Sequence, residues 1–404
     1  MRIPPGTGWR VVPSPDLPCS HWHGGESSAS IDGVAALGPS DVWTAGSCVV
    51  GETTAGVISH WDGRRWSSLR LPRGARSTPV AASPGAGGNV IAGTADDDMW
   101  AVGGGSSNSP PQNGNIAFHW DGGQWTDQSQ GLPGGGGFDA IAASAAAGTW
   151  AIVKLRGSPY GTALLRWDGH RWQQLPFPPL FDTNFPPDHL AAGPGNSVWI
   201  GGDSGGAGYG VPLAARYDGH GWSYYRLPRT TSEGGRVIGF AVAGLSAWAL
   251  VDNLAPPPGG YQALVSLTGG TAGQLKIPGD HLLQISAMAG DPRSGLYLLR
   301  AHGTVTGGIV VQHWDGRGWH VEPVPVPSHS YVYRGSDCVP SGSAYGKPGG
   351  RLNGLEVSAI ASVPGTATVW AAGSFGGGGA ALYPDCPQPT TQPVVEVDGP
   401  VPQH

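Results

Sequence analysis

Charged and polar side chains recur at fixed positions of a repeating pattern. Eleven residues before a recurrent aromatic residue stand Asp32, Asn89, Asp139 and Asp188. Four residues after the same aromatic residue stand Lys154, Asp203 and Asp252. Carboxylates that converge on one site bind a hard cation such as Ca²⁺ or a polyhydroxyl ligand through oxygen contacts. The simpler interpretation is that they are solvated polar caps at the starts of strands, and no other cofactor is predicted.

Aromatic residues concentrate in the long segments that join the repeats. They are Trp22, Tyr160, Phe181, Phe185, Tyr209, Tyr261, Tyr331, Tyr333, Tyr345 and Tyr383. Tyr and Trp on exposed loops are typical of glycan stacking or a peptide interface, although these rings would also pin long loops onto the fold. We predict a ligand site formed by Trp22, Tyr160, Tyr209, Tyr261, Tyr331, Asp32, Asp139, Asp188, Asp203 and Asp252.

One four-strand pattern positions these residues. Its clearest copy spans residues 31–72: an apolar run, a tight turn, a Trp-centred strand, a loop, and aromatic-Asp-Gly-x-x-Trp. The Asp-Gly pair predicts a type I′ hairpin, whose two central residues need positive φ. The aromatic residue of the second strand recurs at Trp43, Trp100, Trp150, Trp199, Trp248, Tyr297 and Trp370.

Units of this size in a regular array predict an all-β fold, a single seven-bladed β-propeller over residues 1–404 with four antiparallel strands per blade. The expected blades are 31–72, 89–133, 138–178, 188–228, 237–278, 282–327 and 355–400, the last completed by an N-terminal strand at 8–13. Closing the ring in this way removes exposed sheet edges. Residues 142–147 have helical propensity, but the repeat places them on a strand and its turn.

The phrases Asp41-Val42-Trp43-Thr44-Ala45-Gly46-Ser47 and His60-Trp61-Asp62-Gly63-Arg64-Arg65-Trp66 carry a family resemblance. They resemble the secreted repeat propellers of actinobacteria, which are similar to kelch and galactose-oxidase-type propellers. The resemblance covers essentially the whole chain and implies a β-propeller. It implies little about activity.

The two faces of such a propeller differ in this sequence. The second-to-third and fourth-to-first connections leave one end of the sheets and are mostly long, so we call that end the loop-rich face. The remaining connections are mostly tight turns at the opposite end, the hairpin face. His60, His119 and His313 share a repeat position with Arg166 and Arg216, which indicates a blade surface rather than a metal site.

Four cysteines flank the predicted ring closure. Their places in the topology predict disulfides between Cys19 and Cys48 and between Cys338 and Cys386, and disulfides indicate an oxidising compartment. A zinc site involving His21 and His23 beside Cys19 is the rival interpretation, although no Cys-x-x-Cys motif occurs.

Composition and motifs narrow the function classes. A net charge of −6, with 12% charged residues and no Lys/Arg run, argues against nucleic-acid or anionic-membrane partners. No 18-residue apolar stretch occurs, and we expect that the initial Met replaces an export signal of a secreted or cell-envelope protein.

No nucleophile elbow, nucleotide-binding loop or zinc-protease motif is present. The cysteines do not fit a copper radical site, and nothing in the spacing selects a sialidase-type arginine cluster from Arg156, Arg236 and Arg300. The predicted function is a non-catalytic extracellular module that binds a glycan, a peptide or an envelope protein through the loop-rich face. The alternative is a polysaccharide hydrolase or lyase with its site on that face, and a purely structural assembly role is also open.

Overall fold

The computed structural model describes most of the chain as β-structure. The described residues are 9–12, 15, 27–50, 53–69, 71–72, 90–104, 115–133, 135–155, 161–181, 186–193, 197–205, 210–228, 234–244, 246–253, 262–267, 270–278, 283–291, 295–302, 309–322, 331–334, 337–340, 355–364, 366, 368–375 and 392–398. Within these ranges, no helix is long and apolar enough to span a membrane.

A short strand, β1 (Arg10–Val12), precedes a series of four-stranded antiparallel blades. Blade one consists of β2 (Ser27–Gly38), β3 (Asp41–Val50), β4 (Thr53–Trp61) and β5 (Trp66–Leu69). Blade two consists of β6 (Ile91–Ala95), β7 (Asp98–Gly104), β8 (Asn115–Trp120) and β9 (Trp125–Asp127). Blade three consists of β10 (Gly135–Ser144), β11 (Gly148–Leu155), β12 (Thr162–Trp167) and β13 (Trp172–Leu175). The Ala-rich segment therefore forms a strand and a turn, as predicted.

The next three blades repeat this order. Blade four consists of β14 (His189–Ala192), β15 (Val198–Asp203), β16 (Pro212–Tyr217) and β17 (Trp222–Arg226). Blade five consists of β18 (Gly235–Ala243), β19 (Ser246–Asn253), β20 (Gln262–Ser266) and β21 (Gly273–Leu275). Blade six consists of β22 (Leu283–Asp291), β23 (Gly295–His302), β24 (Ile309–Trp314) and β25 (Trp319–Glu322).

The remaining strands form a separate hairpin and a sheet that joins the two ends of the described chain. The hairpin pairs β26 (Tyr331–Arg334) with β27 (Asp337–Pro340). The sheet has the order β1, β30 (Gln392–Asp398), β29 (Val369–Phe375) and β28 (Leu355–Ser362), and we call it the composite sheet. In the described part of the chain, six blades are thus built from four consecutive strands. The prediction of seven blades is therefore wrong: the residues of the predicted seventh blade lie in the composite sheet or outside the described residues.

The composite sheet closes the ring. The first strands of neighbouring sheets contact one another around the whole ring, from β2 through β22 to β28 and back to β2, so they are innermost. The predicted pairing of the N-terminal strand is confirmed, since Val11 faces Glu396 and Val12 faces Val395. Trp9 packs in a cluster with blade-six residues, whereas Val12 packs with blade-one residues. Strand β1 therefore covers the edge of β30, and the residues around it contact both neighbours of the composite sheet.

Second-strand aromatic residues fill the space between sheets. Trp43, Trp100, Trp150 and Trp370 are among the largest fully buried side chains. Each of the first two contacts the hairpin Trp pair of the next blade: the Trp43 ring centroid lies 5.7 Å from that of Trp120, and that of Trp100 lies 5.0 Å from that of Trp167. The interpretation of the repeated Trp residues as core packing is confirmed at these positions.

A His or Arg covers the second-strand aromatic ring in five blades. The rings of His60, His119 and His313 stack on Trp43, Trp100 and Tyr297 with centroids 4.2, 4.4 and 4.2 Å apart. Arg166 and Arg216 lie over Trp150 and Trp199, 5.2 and 5.9 Å from the ring centroids. These residues are therefore part of the blade packing, as their shared repeat position indicates.

The Asp-Gly hairpins are present, but their turn differs from the predicted one. Trp61 pairs with Trp66, and the Asp62 N–H donates to the Arg65 carbonyl at 3.2 Å, so the central residues are Gly63 and Arg64. Gly63 has a φ of 92°, and the Asp62 carboxylate accepts the N–H groups of Arg64 and Arg65, both at 2.9 Å. Asp62 thus caps the turn instead of lying at its centre.

The same two-fold capping occurs in four more hairpins, at Asp121, Asp168, Asp218 and Asp315. In all five, backbone N–H groups stabilise the charged form and hold the pKa of the Asp carboxyl below its ordinary value of 3.8.

Cys48 is the one cysteine whose side chain the structure describes. It lies buried in β3 and is disulfide-bonded. Cys19 and Cys386 lie outside the described residues, and only the backbone of Cys338 is described, in β27. The pairing of Cys19 with Cys48 and of Cys338 with Cys386 therefore stays a prediction.

Candidate functional site

A β-bulge interrupts the innermost strand of several sheets near the loop-rich face. In blade one, Ile31 faces Gly46 and Gly33 faces Ala45, which leaves Asp32 as an extra residue. In blade three, Asp139 is the extra residue between Phe138 and Ala140. Bulges occur at the corresponding place in blade five, blade six and the composite sheet, at Ile238, Ser286 and Ser358. Such bulges change the direction of a side chain and often lie beside functional sites.

The bulge residue Asp139 is paired with Lys154 within blade three. Lys154 Nζ lies 2.9 Å from Asp139 Oδ1; the Asp139 side chain is 7% exposed and that of Lys154 46%. Asp139 Oδ2 is buried and has no hydrogen-bond partner. Burial raises the pKa of the Asp139 carboxyl above its ordinary value, although Lys154 opposes this shift.

Blade four contributes a carboxylate–imidazole pair at the same face. Asp188 lies directly before β14 and His189 begins that strand. His189 Nδ1 lies 2.5 Å from Asp188 Oδ1, and the His189 side chain is 7% exposed. Because a carboxylate only accepts hydrogen bonds, Nδ1 carries a hydrogen and donates to Asp188, and Nε2 is the ring nitrogen that can gain or lose a proton.

Arg236, the second residue of β18 in blade five, completes this group. Its Nη2 donates to Asp188 Oδ2, so the ion pair links two blades. Burial alone would raise the pKa of the Asp188 carboxyl, but the charges and hydrogen bonds of His189 and Arg236 lower it far below its ordinary value. Asp188 is therefore ionised under ordinary conditions.

These groups form one electrostatic unit, which we call the mouth cluster: Asp139, Lys154, Asp188, His189 and Arg236. Asp139 interacts electrostatically with Asp188 and His189, and Arg236 interacts with Asp139. Burial tends to lower the pKa of Arg236, but the surrounding carboxylates, with Asp188 foremost, raise it above its ordinary value. The cluster spans three neighbouring blades: Asp188, His189 and Arg236 lie at the starts of the first strands β14 and β18, whereas Asp139 lies within β10 and Lys154 near the end of the second strand β11.

The other predicted carboxylates lie at the same face but differ in their surroundings. Asp203 is buried at the end of β15, accepts the Gly205 N–H at 2.9 Å and interacts electrostatically with Arg236. Asp252 faces Arg236 in the register of β18 and β19. Asp32, in blade one, accepts a hydrogen bond from Ser30 Oγ at 3.2 Å. Asp32 is not a member of the mouth cluster.

The predicted aromatic ligand residues cannot be placed in the same way. Trp22, Tyr160, Tyr209 and Tyr261 lie outside the described residues, as does Asn89. Tyr331 lies in β26, where only the backbone is described. The aromatic part of the predicted site therefore stays a prediction.

Three cluster members, Lys154, His189 and Arg236, are not among the site residues predicted from the sequence, although Lys154 was noted at its repeat position. His189 directly follows Asp188, and an Asp-His pair at the start of an inner strand is a signal that was available. Arg236 stands twelve residues before Trp248, next to the register position of the carboxylates. Its contact with Asp188 crosses from one blade to the next, so only the closed ring brings the two together.

Metal binding at the mouth cluster has no support from the geometry of the described side chains. Among the described residues, no group of three or more His, Cys, Asp or Glu side chains could hold a metal ion. The proposed Ca²⁺ therefore stays an untested prediction.

Comparison with known proteins gives a likeness of fold. No family model matches the chain, and no curated protein matches it. YCF48 bound to D1 peptide is 15% identical over 80% of this chain and 89% of that chain, with a TM-score of 0.44. A fucose-specific lectin from Aleuria aurantia is 15% identical over 78% and 99%, with a TM-score of 0.39. YjhT is 12% identical over 77% and 99%, with a TM-score of 0.43. At these identities and TM-scores, the likenesses carry no functional argument, and the kelch-type resemblance stays a prediction beyond the β-propeller fold.

Proposed function

We propose that this chain is an extracellular glycan-binding module whose ligand sits on the loop-rich face, over the mouth cluster. The observation that carries the proposal is the cluster itself: hydrogen-bonding side chains from three blades, held by ion pairs on the ends of paired strands. Sites on rigid strands position polar groups more accurately than sites on loops. Sugar hydroxyls both donate and accept, so they fit a surface that mixes carboxylate, guanidinium, ammonium and imidazole groups.

The predicted loop aromatics fit the same site by chain connectivity. Tyr160 follows Lys154 by six residues, and Tyr209 follows Asp203 by six residues. Six residues span at most about 20 Å when fully extended. Aromatic rings within that reach would stack on the apolar faces of sugar rings while the cluster binds their hydroxyl groups.

A peptide or an envelope protein is the less favoured ligand. Peptides commonly bind by adding a strand to a free sheet edge. In each blade, the outer edge is the fourth strand, such as β17 or β25. The other edge is the first strand, which faces the centre of the ring and contacts the first strands of neighbouring blades, so it leaves little room for an added strand. A peptide at the mouth would therefore need side-chain recognition alone. The disulfide-bonded Cys48 agrees with an oxidising, extracytoplasmic compartment.

Catalysis at the same face is a second candidate, favoured by one observation. Asp139 and Asp188 have pKa shifts in opposite directions, upward for Asp139 and downward for Asp188. Environments that separate two carboxyl pKa values in this way are typical of acid–base sites. However, both oxygens of Asp188 are already engaged, by His189 and Arg236.

A glycan and polysaccharide binding array tests the proposed function. We expect the wild-type protein to bind a defined subset of glycans and the Lys154→Gln/Arg236→Gln double variant to lose that binding. Asp218→Asn, in a hairpin turn on the opposite face, is the matched control and should bind like the wild type. Absence of any glycan hit, or equal binding by the double variant, would contradict the proposal.

A further inference from the structure

The two nitrogens of the His189 imidazole differ in their contacts: Nδ1 has a hydrogen-bond partner, whereas Nε2 has none among the described residues. Nδ1 donates to the Asp188 carboxylate at 2.5 Å. Nε2 has no hydrogen bond to any described residue, and the His189 side chain is 7% exposed. A carboxylate that holds Nδ1–H in this way fixes the tautomer and leaves Nε2 as a proton acceptor.

The other groups of the mouth cluster are not available as bases. Both Asp188 oxygens are engaged, and Asp139 combines a buried, inaccessible Oδ2 with an Oδ1 that is paired to Lys154. Hydrolysis by two free carboxylates therefore does not fit. A reaction that begins with proton abstraction by His189 fits the arrangement of the mouth cluster.

The two cations of the mouth cluster restrict the substrate further. Arg236 and Lys154 are the more exposed members of the cluster, at 30% and 46%, whereas the carboxylates that hold them are less exposed. An incoming ligand therefore meets N–H donors first. A guanidinium that binds a substrate carboxylate would stabilise the negative charge that develops when a proton leaves the adjacent carbon.

We propose that the mouth cluster cleaves uronic-acid glycans by β-elimination, with His189 as the base. This inference rests on the proposed glycan site. Arg236 holds the uronate carboxylate and His189 Nε2 takes the proton from C5. The C5–H electrons form the C4=C5 double bond, the C4–O4 bond breaks, and its electrons remain on O4. The Lys154 ammonium gives a proton to O4. Asp188 is a positioning residue that acts through His189, and the reaction needs no co-reactant.

The test uses polymers of galacturonate, of glucuronate-containing disaccharides, and of mannuronate and guluronate, each incubated with the wild-type protein. We expect at least one polymer to yield an unsaturated product, detected by its ultraviolet absorbance and by mass spectrometry. His189→Gln should lower the rate by about 10²-fold or more, the usual range for a general base, with affinity changed by less than about three-fold. His220→Gln, in an exposed hairpin, is the matched control and should keep the wild-type rate.

The outcomes separate this inference from the proposed function. Binding of a uronate polymer without any unsaturated product overturns the elimination and leaves glycan binding intact. A hydrolysed, saturated product overturns it as well. Equal rates for His189→Gln and the wild type remove His189 as the base. If His189→Gln does not fold, Arg236→Lys gives the answer, because it keeps the charge but loses the planar fork; unchanged kcat in that variant would contradict the role of Arg236.

Discussion

The hairpin face and the loop-rich face use polar side chains in opposite ways. On the hairpin face the same contacts recur from blade to blade: an Asp caps each of five turns, and a His or Arg covers the second-strand ring in five blades. On the loop-rich face, the described contacts differ from blade to blade: Asp139 pairs with Lys154 within blade three, whereas Asp188 of blade four pairs with its neighbour His189 and with Arg236 of blade five. The contacts that recur from blade to blade stabilise the individual blades. The mouth cluster instead joins side chains of three blades and forms the proposed ligand site.

The largest expected effect is on stability and comes from the repeated core. Trp43→Ala should lower the free energy of unfolding by about 3–5 kcal/mol, because it removes a fully buried ring that contacts the next blade. Chemical denaturation measures this loss. The glycan affinity of the folded fraction should be unchanged. A reduced affinity would contradict the assignment of stability to the repeated core and of ligand binding to the mouth cluster.

A variant of the mouth cluster should lose ligand affinity more than stability. Arg236→Gln should lower glycan affinity by at least about ten-fold, while the loss in unfolding free energy should be about 1–3 kcal/mol, since the hydrogen bond to Asp188 is charge-assisted and partly buried. Calorimetric titration and denaturation measure the two quantities. Arg216→Gln is the control: it removes a cation over Trp199, should cost about 0.5–1 kcal/mol and should leave affinity unchanged.

A substitution within the cluster should have a small effect on stability. Asp139→Asn should change the unfolding free energy by less than about 1 kcal/mol at neutral pH, because burial of the charge and its attraction to Lys154 offset each other. The pKa of Asp139 is raised in the folded state, so its protonated form favours folding at low pH and that contribution is lost as pH rises. The wild type should therefore lose more stability than Asp139→Asn between acidic and neutral pH in denaturation curves.

The capped turns should give the smallest effect, with the opposite pH dependence. The pKa of Asp168 is lowered in the folded state by the backbone N–H groups that it accepts. Its contribution to stability is therefore present above its ordinary pKa and is lost as pH falls through the folded value. Asp168→Ala should be less stable than the wild type at neutral pH, and the difference should shrink in acid. A difference that grows in acid would contradict the capping account.

The sequence predicted those features that depend on neighbours along the chain. Strand spacing and the Trp positions follow from the repeat, and even blade five, where Leu267-Thr268 replaces the aromatic-Asp of the hairpin, keeps four strands because its first three strands have the same apolar pattern. The predicted position of Asp62 in its turn is wrong by one residue: Asp62 precedes the two central residues instead of being the first of them. In this position its carboxylate accepts the N–H groups of Arg64 and Arg65.

The candidate site was only partly predictable, for a physical reason. The register rule found Asp139 and Asp188 because the first strand of each blade starts at the same face. It did not find Arg236, whose partner lies 48 residues earlier and in another blade. Such a contact between blades forms only when the ring closes, and the spacing of the sequence repeat does not show which side chains of neighbouring blades will meet.

Imidazole chemical shifts give the most direct test that the mouth cluster is the ligand site. Proton–nitrogen spectra of the histidine rings would be recorded while a glycan identified on the array is added. The account predicts that the Nε2 and Nδ1 shifts of His189 move with ligand occupancy, while those of His60, His119 and His220 stay fixed. Saturated binding with His189 unmoved, or with His60 and His119 moved instead, would place the ligand away from the loop-rich face and contradict the account.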